Sequence, residues 1–208
     1  MEYKSLKTRS SAELIEKRSR FIGYAAPVSS EAEALAFIGE ISKKHWDASH
    51  NVYAYLLREG GARYSDNGEP QGTAGLPVLS VLQKGGLTDA CLVVTRYFGG
   101  TLLGASGLVR AYSRAAALAV EAAGVITSRL CAVGRVMCDY SSYNRAAAII
   151  PDCGGTVGDA EFTDRIAISF RIPPGRLDDL TMRLADATNG TAVITITGEG
   201  YFMIEPEE

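Results

Sequence analysis

The chain has 208 residues, 47% of them hydrophobic and 22% charged, with 21 lysines and arginines against 24 aspartates and glutamates. That balance excludes disorder, collagen and coiled coil, and no apolar run approaches the ~20 residues of a bilayer span. The length admits one large domain or two small ones. The N-terminal stretch MEYKSLKTRSSAELIEKRSR is too charged for the apolar region of a signal peptide, so a cytoplasmic protein without membrane contact is expected. Cys91, Cys131, Cys138 and Cys153 form no C-x-x-C pair and are expected to be free, partly buried thiols.

In chain order, residues 11–17 and 20–28 read as strands, the second carrying Phe21, Ile22 and Tyr24. Ser30 with Glu33 makes a capping box, and Ala34, Leu35, Phe37, Ile38 and Ile41 give a helical apolar face up to Lys43 and Lys44. Asn51 to Arg58 (NVYAYLLR) is apolar on both sides, as a strand in a covered sheet would be. A polar loop follows from Glu59 to Thr73. A helix begins at Thr73 or Gly75 and runs through Leu82, and residues 89–97 (DACLVVTRY) form a strong strand. After Gly99 and Gly100, Thr101 is the expected N-cap of a helix running to about Ala123.

From Ile126 the pattern changes to strand, helix, strand, strand, helix, strand, with Pro173-Pro174 opening the last helix and Asn189-Gly190 closing it. This βαββαβ order in about eighty residues is that of a ferredoxin-like sandwich. The expected class is α+β, with domains at 1–126 and 127–208. Residues 1–127 carry 14 basic and 12 acidic side chains, and residues 128–208 carry 7 and 12, so the −3 divides into +2 and −5. A polyanion would therefore meet the first domain, near Lys4, Lys7, Arg9, Lys17, Arg18 and Arg20, unless these cations only guard an edge strand.

Three features could carry chemistry. Both histidines fall in His45-Trp46-Asp47-Ala48-Ser49-His50, where two imidazoles and a carboxylate could hold a divalent metal, or where His50 and Asp47 could simply bond a loop. The loop Ser65 to Gly75 offers Asp66, Glu69 and Thr73 beside glycines, suiting a ligand or proton-transfer site; otherwise Asp66 caps the Asn-Gly bend and Glu69 the helix start. Finally, Arg96-Tyr97-Phe98-Gly99-Gly100-Thr101 runs from strand through two glycines into a helix N-terminus, which presents free backbone N–H groups and a positive dipole end beside Arg96 and so suits an anion or phosphate. It is no nucleotide fingerprint: Ala105 follows Gly104, and no G-x-G-x-x-G occurs. Gly104 and Gly107, with Ala111 and Ala115, are expected to let the helix approach the sheet.

Taken together, His45-x-Asp47-Ala48-x-His50-Asn51-x-Tyr53-Ala54-Tyr55, Ser65-Asp66-x-Gly68-Glu69-Pro70-x-Gly72-Thr73-Ala74-Gly75-x-Pro77 and Val94-Thr95-Arg96-Tyr97-Phe98-Gly99-Gly100-x-x-Leu103-Gly104-x-x-Gly107-Leu108 resemble the IMPACT family with its bacterial YigZ-like members. The likeness spans roughly residues 12–124, and the family commonly has Asp where this chain has Asn67. It implies a first domain of the ribosomal-protein-S5-domain-2-like type, a sheet with two helices on one face, then a ferredoxin-like domain similar to the last domain of elongation factor G. Eukaryotic members act as translational regulators through an additional N-terminal domain, so their partner does not carry over.

The expected function is thus that of a non-enzymatic, translation-associated regulatory protein touching RNA, the ribosome or a translation factor. It needs no cofactor, and Asp66, Glu69, Thr73, Arg96, Tyr97, Gly99 and Gly100 would form the binding surface. The alternative is a metal-dependent hydrolase or phosphate-ester enzyme built on His45, Asp47, His50 and Glu69.

Overall fold

The computed structural model describes residues 2–204. Its elements are β1 (Glu2–Leu6), β2 (Ser10–Glu16), β3 (Ser19–Pro27), α1 (Glu31–Lys44), β4 (His50–Leu57), β5 (Gly61–Ser65), α2 (Gly75–Lys84), β6 (Ala90–Tyr97), α3 (Ala105–Ala123), β7 (Val125–Cys138), α4 (Tyr143–Asp152), β8 (Thr156–Phe162), β9 (Ile166–Ile172), α5 (Leu177–Thr188) and β10 (Val193–Ile204). The class is α+β with two sheets, and the chain divides into a compact unit of Tyr3–Thr127 and a second unit built from Ser128 onward with Glu2.

In the first unit the sheet order is β2-β3-β6-β4-β5, every neighbouring pair antiparallel. Because successive side chains alternate across a strand, Phe21, Ala25, Val52, Ala54, Leu92 and Val94 point to one face, where residues of α2 and α3 cover them. Ile22, Tyr24, Tyr55, Cys91 and Val93 point to the other, against Phe37, Ile38 and Ile41 of α1. Two helices share one face, and α1 adds a third layer on the opposite one, so the central strands are apolar on both sides. At the start of α1, Ser30 Oγ accepts from the Glu33 N–H at 3.3 Å, while the Glu33 carboxylate accepts from the N–H of Ser29 rather than that of Ser30.

Two expectations need correction. The polar stretch after β4 is not all loop: β5 lies within it, a short edge strand paired with Tyr53 to Leu57. Nor does Thr101 cap the long helix. The chain continues through residues 98–104, and the cap is Gly104 at φ +73, a backbone conformation that an L side chain resists. That conformation, not close packing, is what Gly104 serves. A close approach of helix to sheet falls instead at Gly23 of β3, where a Cβ would lie 2.3 Å from the Ala115 carbonyl oxygen.

In the second unit the strands neighbour one another as β10-β7-β9-β8. Ile149 and Ile150 of α4 and Leu180 and Leu184 of α5 join Ile168 and Phe170 in one core, completing the ferredoxin-like βαββαβ sandwich. The four cysteines are free and buried, and burial pushes the Cys91 thiol up to about 12, which leaves it unreactive.

Candidate functional site

Strand β6 ends Thr95-Arg96-Tyr97, so its last side chains leave the sheet on alternate faces. Pairing with β4 sets His50 opposite Arg96 and Asn51 opposite Thr95. Arg96 and His50 therefore share the face covered by α2 and α3, while Thr95 and Tyr97 share the face of α1. Asn51 confirms its side by accepting from Thr95 Oγ1 at 2.8 Å.

On the first face Arg96 is 5% exposed and Glu69 9%. Arg96 Nη1 donates to Glu69 Oε1 at 2.6 Å, and the buried Tyr112 hydroxyl donates to the same oxygen at 2.7 Å. Burial, then the neighbouring Glu69 carboxylate, holds the Tyr112 hydroxyl far above the usual phenol range. Arg96 Nη2 reaches Ser19 Oγ at 3.3 Å, its Nε is buried without a hydrogen-bond partner, and its guanidinium lies 5.4 Å from the Phe21 ring centre and 5.5 Å from that of Phe98. The expected phosphate ligand is thus already neutralised by a carboxylate.

The polar loop delivers Glu69 to this place. Asp66 accepts from the N–H groups of Gly72, Ala74 and Gly75 at 2.9, 3.1 and 2.8 Å, satisfying donors at the start of α2. Asn67 and Gly68 turn the chain with positive φ, and Thr73 Oγ1 donates to the Pro70 carbonyl at 2.6 Å. So Asp66, not Glu69, caps the helix, and Glu69 is freed to turn inward. His50 Nδ1 lies 2.8 Å from the Asn67 carbonyl oxygen, and its Nε2 is 3.8 Å from Glu69 Oε2. Above them opens a cavity of about 370 Å³, lined by His50, Glu69, Arg96, Phe98, Leu102 and Leu103 among others.

The α1 face carries a different network. Asp47 Oδ1 accepts from the Tyr97 hydroxyl at 3.0 Å; with that proton committed, the Tyr97 oxygen accepts from His45 Nδ1 at 2.8 Å. His45 Nε2 is then the acceptor for the Tyr24 hydroxyl at 2.7 Å. Burial, then Lys44 and Arg20, lowers the His45 pKa against a smaller opposing effect of Asp47, in keeping with this neutral tautomer. Burial and the bond to Asp47 push the Tyr97 hydroxyl up.

The histidine cluster is therefore divided by the sheet: His45 and Asp47 stand on one face, His50 and Glu69 on the other. These four residues do not converge as the metal-dependent alternative required, and among the described residues no group of three or more His, Cys, Asp or Glu is placed to hold a metal ion. The anion site expected at Gly99-Gly100 also loses its helix, since α3 starts only at Ala105. Gly99 serves a close approach instead, a Cβ there lying 2.0 Å from the Arg18 carbonyl carbon. That contact sets the exposed β2–β3 turn, Lys17-Arg18, beside Phe98, which is 49% exposed. Sequence reasoning missed Ser19, Tyr24 and Tyr112 as polar partners. Tyr112 reads as one more apolar position on a helix face, and only a buried acceptor opposite it gives its hydroxyl a role.

The fold and the site define a two-unit α+β protein whose first unit holds a buried ion pair beneath an open cavity and has no convergent metal cluster among its described residues. The chain belongs to the IMPACT family. Residues 17–120 match the Impact N-terminal domain, and residues 136–191 match a domain of unknown function, DUF1949. It is 34% identical to the IMPACT family member YvyE of Bacillus subtilis over 92% of this chain and 89% of that protein, and 30% identical to the IMPACT family member YigZ of Escherichia coli over 84% and 88%. A Protein IMPACT homolog of Dictyostelium discoideum is 38% identical over 43% of this chain and 27% of its own length. A solved structure described only as that of a hypothetical protein matches with a TM-score of 0.60 and 26% identity, covering 99% of this chain and 98% of that one.

Proposed function

We propose that the chain is a non-enzymatic, translation-associated regulatory protein of the cytoplasm, and that its first unit binds RNA. The observation that carries this reading is the surface where the exposed Lys17-Arg18 turn is held against Gly99 beside Phe98. Arg20 adds a third exposed cation, its guanidinium 5.9 Å from the Tyr97 ring centre, although Glu13 pairs with it at 2.7 Å. Cations interleaved with accessible aromatic rings suit a nucleic-acid strand, the cations meeting phosphate and the rings meeting bases. The phosphate contact moves from Arg96, whose charge is spent on Glu69, to Lys17 and Arg18. Kinship with eukaryotic IMPACT proteins, which regulate translation, supports the ribosome as the setting.

The test is co-sedimentation of the full chain with ribosomes at low salt. Binding is expected to weaken steeply as salt rises, since each neutralised phosphate releases counterions, and to be lost in the double variant Lys17→Glu/Arg18→Glu. Absence of co-sedimentation at low salt, or binding indifferent to the double variant, overturns the proposal.

A further inference from the structure

The two oxygens of Glu69 are used unequally. Oε1 takes the bonds from Arg96 and Tyr112, while Oε2 has only His50 Nε2 near it, at 3.8 Å. That is beyond hydrogen-bond range. His50 Nδ1 faces a carbonyl oxygen, which can only accept, so Nδ1 carries the hydrogen and Nε2 of the neutral ring is itself an acceptor. Two acceptors thus face each other across a gap. Neither atom is among the side-chain polar atoms sealed from solvent without a partner, and both residues line the cavity.

A group bearing two hydrogens on one atom would satisfy both acceptors at once. The rest of the cavity is apolar, with Pro70, Phe98, Leu102 and Leu103 around the polar floor, and Leu102 stands 82% exposed at its edge. About 370 Å³ lies at the small end of ligand sites and suits one ring system rather than an extended molecule. A phosphate does not fit the floor, where Arg96 is already paired and Glu69 would repel it.

We propose that this cavity takes a heteroaromatic ring carrying an exocyclic amino group, a base of the adenine or cytosine kind. The amino nitrogen bridges Glu69 Oε2 and His50 Nε2, and the ring lies against Phe98 and Leu102. The inference rests on the RNA reading only for the source of the base, which is either a free nucleoside or a base turned out of a strand.

Calorimetric titration of the full chain with adenosine against inosine, and with cytidine against uridine, compares amino with keto at the same position. The amino member of each pair is expected to bind about tenfold or more tightly, the discrimination of a paired hydrogen-bond contact. His50→Leu should lower both ratios without abolishing them, since Glu69 Oε2 still accepts from the amino group, while Leu102→Ala should weaken all four nucleosides and leave the ratios unchanged. Equal binding of amino and keto members, a preference for keto, or no binding by any of the four at millimolar concentration overturns the proposal. Parallel titrations with oligo-A, oligo-C and oligo-U separate it from the RNA reading. Strands bound alike without nucleoside discrimination leave that reading standing and remove the base pocket; nucleoside discrimination without strand binding does the reverse.

Discussion

The end of β6 presents two polar networks back to back, separated by the thickness of one sheet, and they are built on opposite principles. On the α1 face Tyr24, His45, Tyr97 and Asp47 form a chain in which every donor meets one acceptor, and the buried imidazole stays neutral. On the α2/α3 face a full charge pair is buried, one carboxylate oxygen is used twice, and the other faces a second acceptor beside a cavity. The buried part of that chain is uncharged and fully committed, which fixes the loop after α1 and leaves only the exposed Asp47 carboxylate facing solvent. The charged network is held just as firmly from below yet leaves two acceptors open above, which is the arrangement of a binding site set on a rigid floor.

This contrast predicts unequal costs of breaking each side. Glu69→Ala should be the most damaging single change, about 3–5 kcal/mol by chemical denaturation, because it leaves the Arg96 guanidinium buried and unpaired. On the other face Asp47→Ala removes an exposed acceptor that water replaces, and its effect should be a small fraction of that. Similar losses at the two positions would show that the ion pair is not the anchor of this end of the sheet.

The two tyrosines sharpen the comparison at equal volume. Tyr112→Phe removes a bond to a charged acceptor and should cost about 1.5–3 kcal/mol, whereas Tyr24→Phe removes a neutral bond to His45 and should cost about 1 kcal/mol. The order is read from denaturation midpoints at constant m-value, and the reverse order would contradict the charge assignment.

Much of this arrangement was legible in the residues. β3, β4 and β6 stand out as near-continuous apolar runs because both of their faces are covered, and the capping box at Ser30 and Glu33 marks α1 to within a residue. The class of each feature in the site could also be read: a polar loop, a histidine pair, a glycine turn beside Arg96. Their grouping could not. His45 and His50 look like one cluster along the chain, but five residues of turn and a register opposite Arg96 send them to different faces. β1 and β5 were missed for a related reason: they bury few side chains, and their strand character comes from partners distant or polar in sequence. Thr101 misled because a good cap residue competes with a glycine three residues on whose positive φ sets the actual helix start.

The smallest expected effect is the pH dependence of the neutral network. The His45 pKa lies below the ordinary imidazole value of about 6.5, chiefly through burial. Its unfolded form therefore binds a proton at a higher pH than its folded form does. Between those two values the unfolded state holds more protons, so stability rises with pH. The His45 contribution should be complete above about pH 6.5 and decline as pH falls through the folded value, a range kept apart from the carboxylates by working between about pH 5 and 7.5. Unfolding free energies across that range should slope upward, and His45→Gln should flatten the slope while losing stability at neutral pH. A slope unchanged in the variant would mean that the imidazole is not held neutral by its burial, and the closed network on the α1 face would lose its main distinction from the charged one behind it.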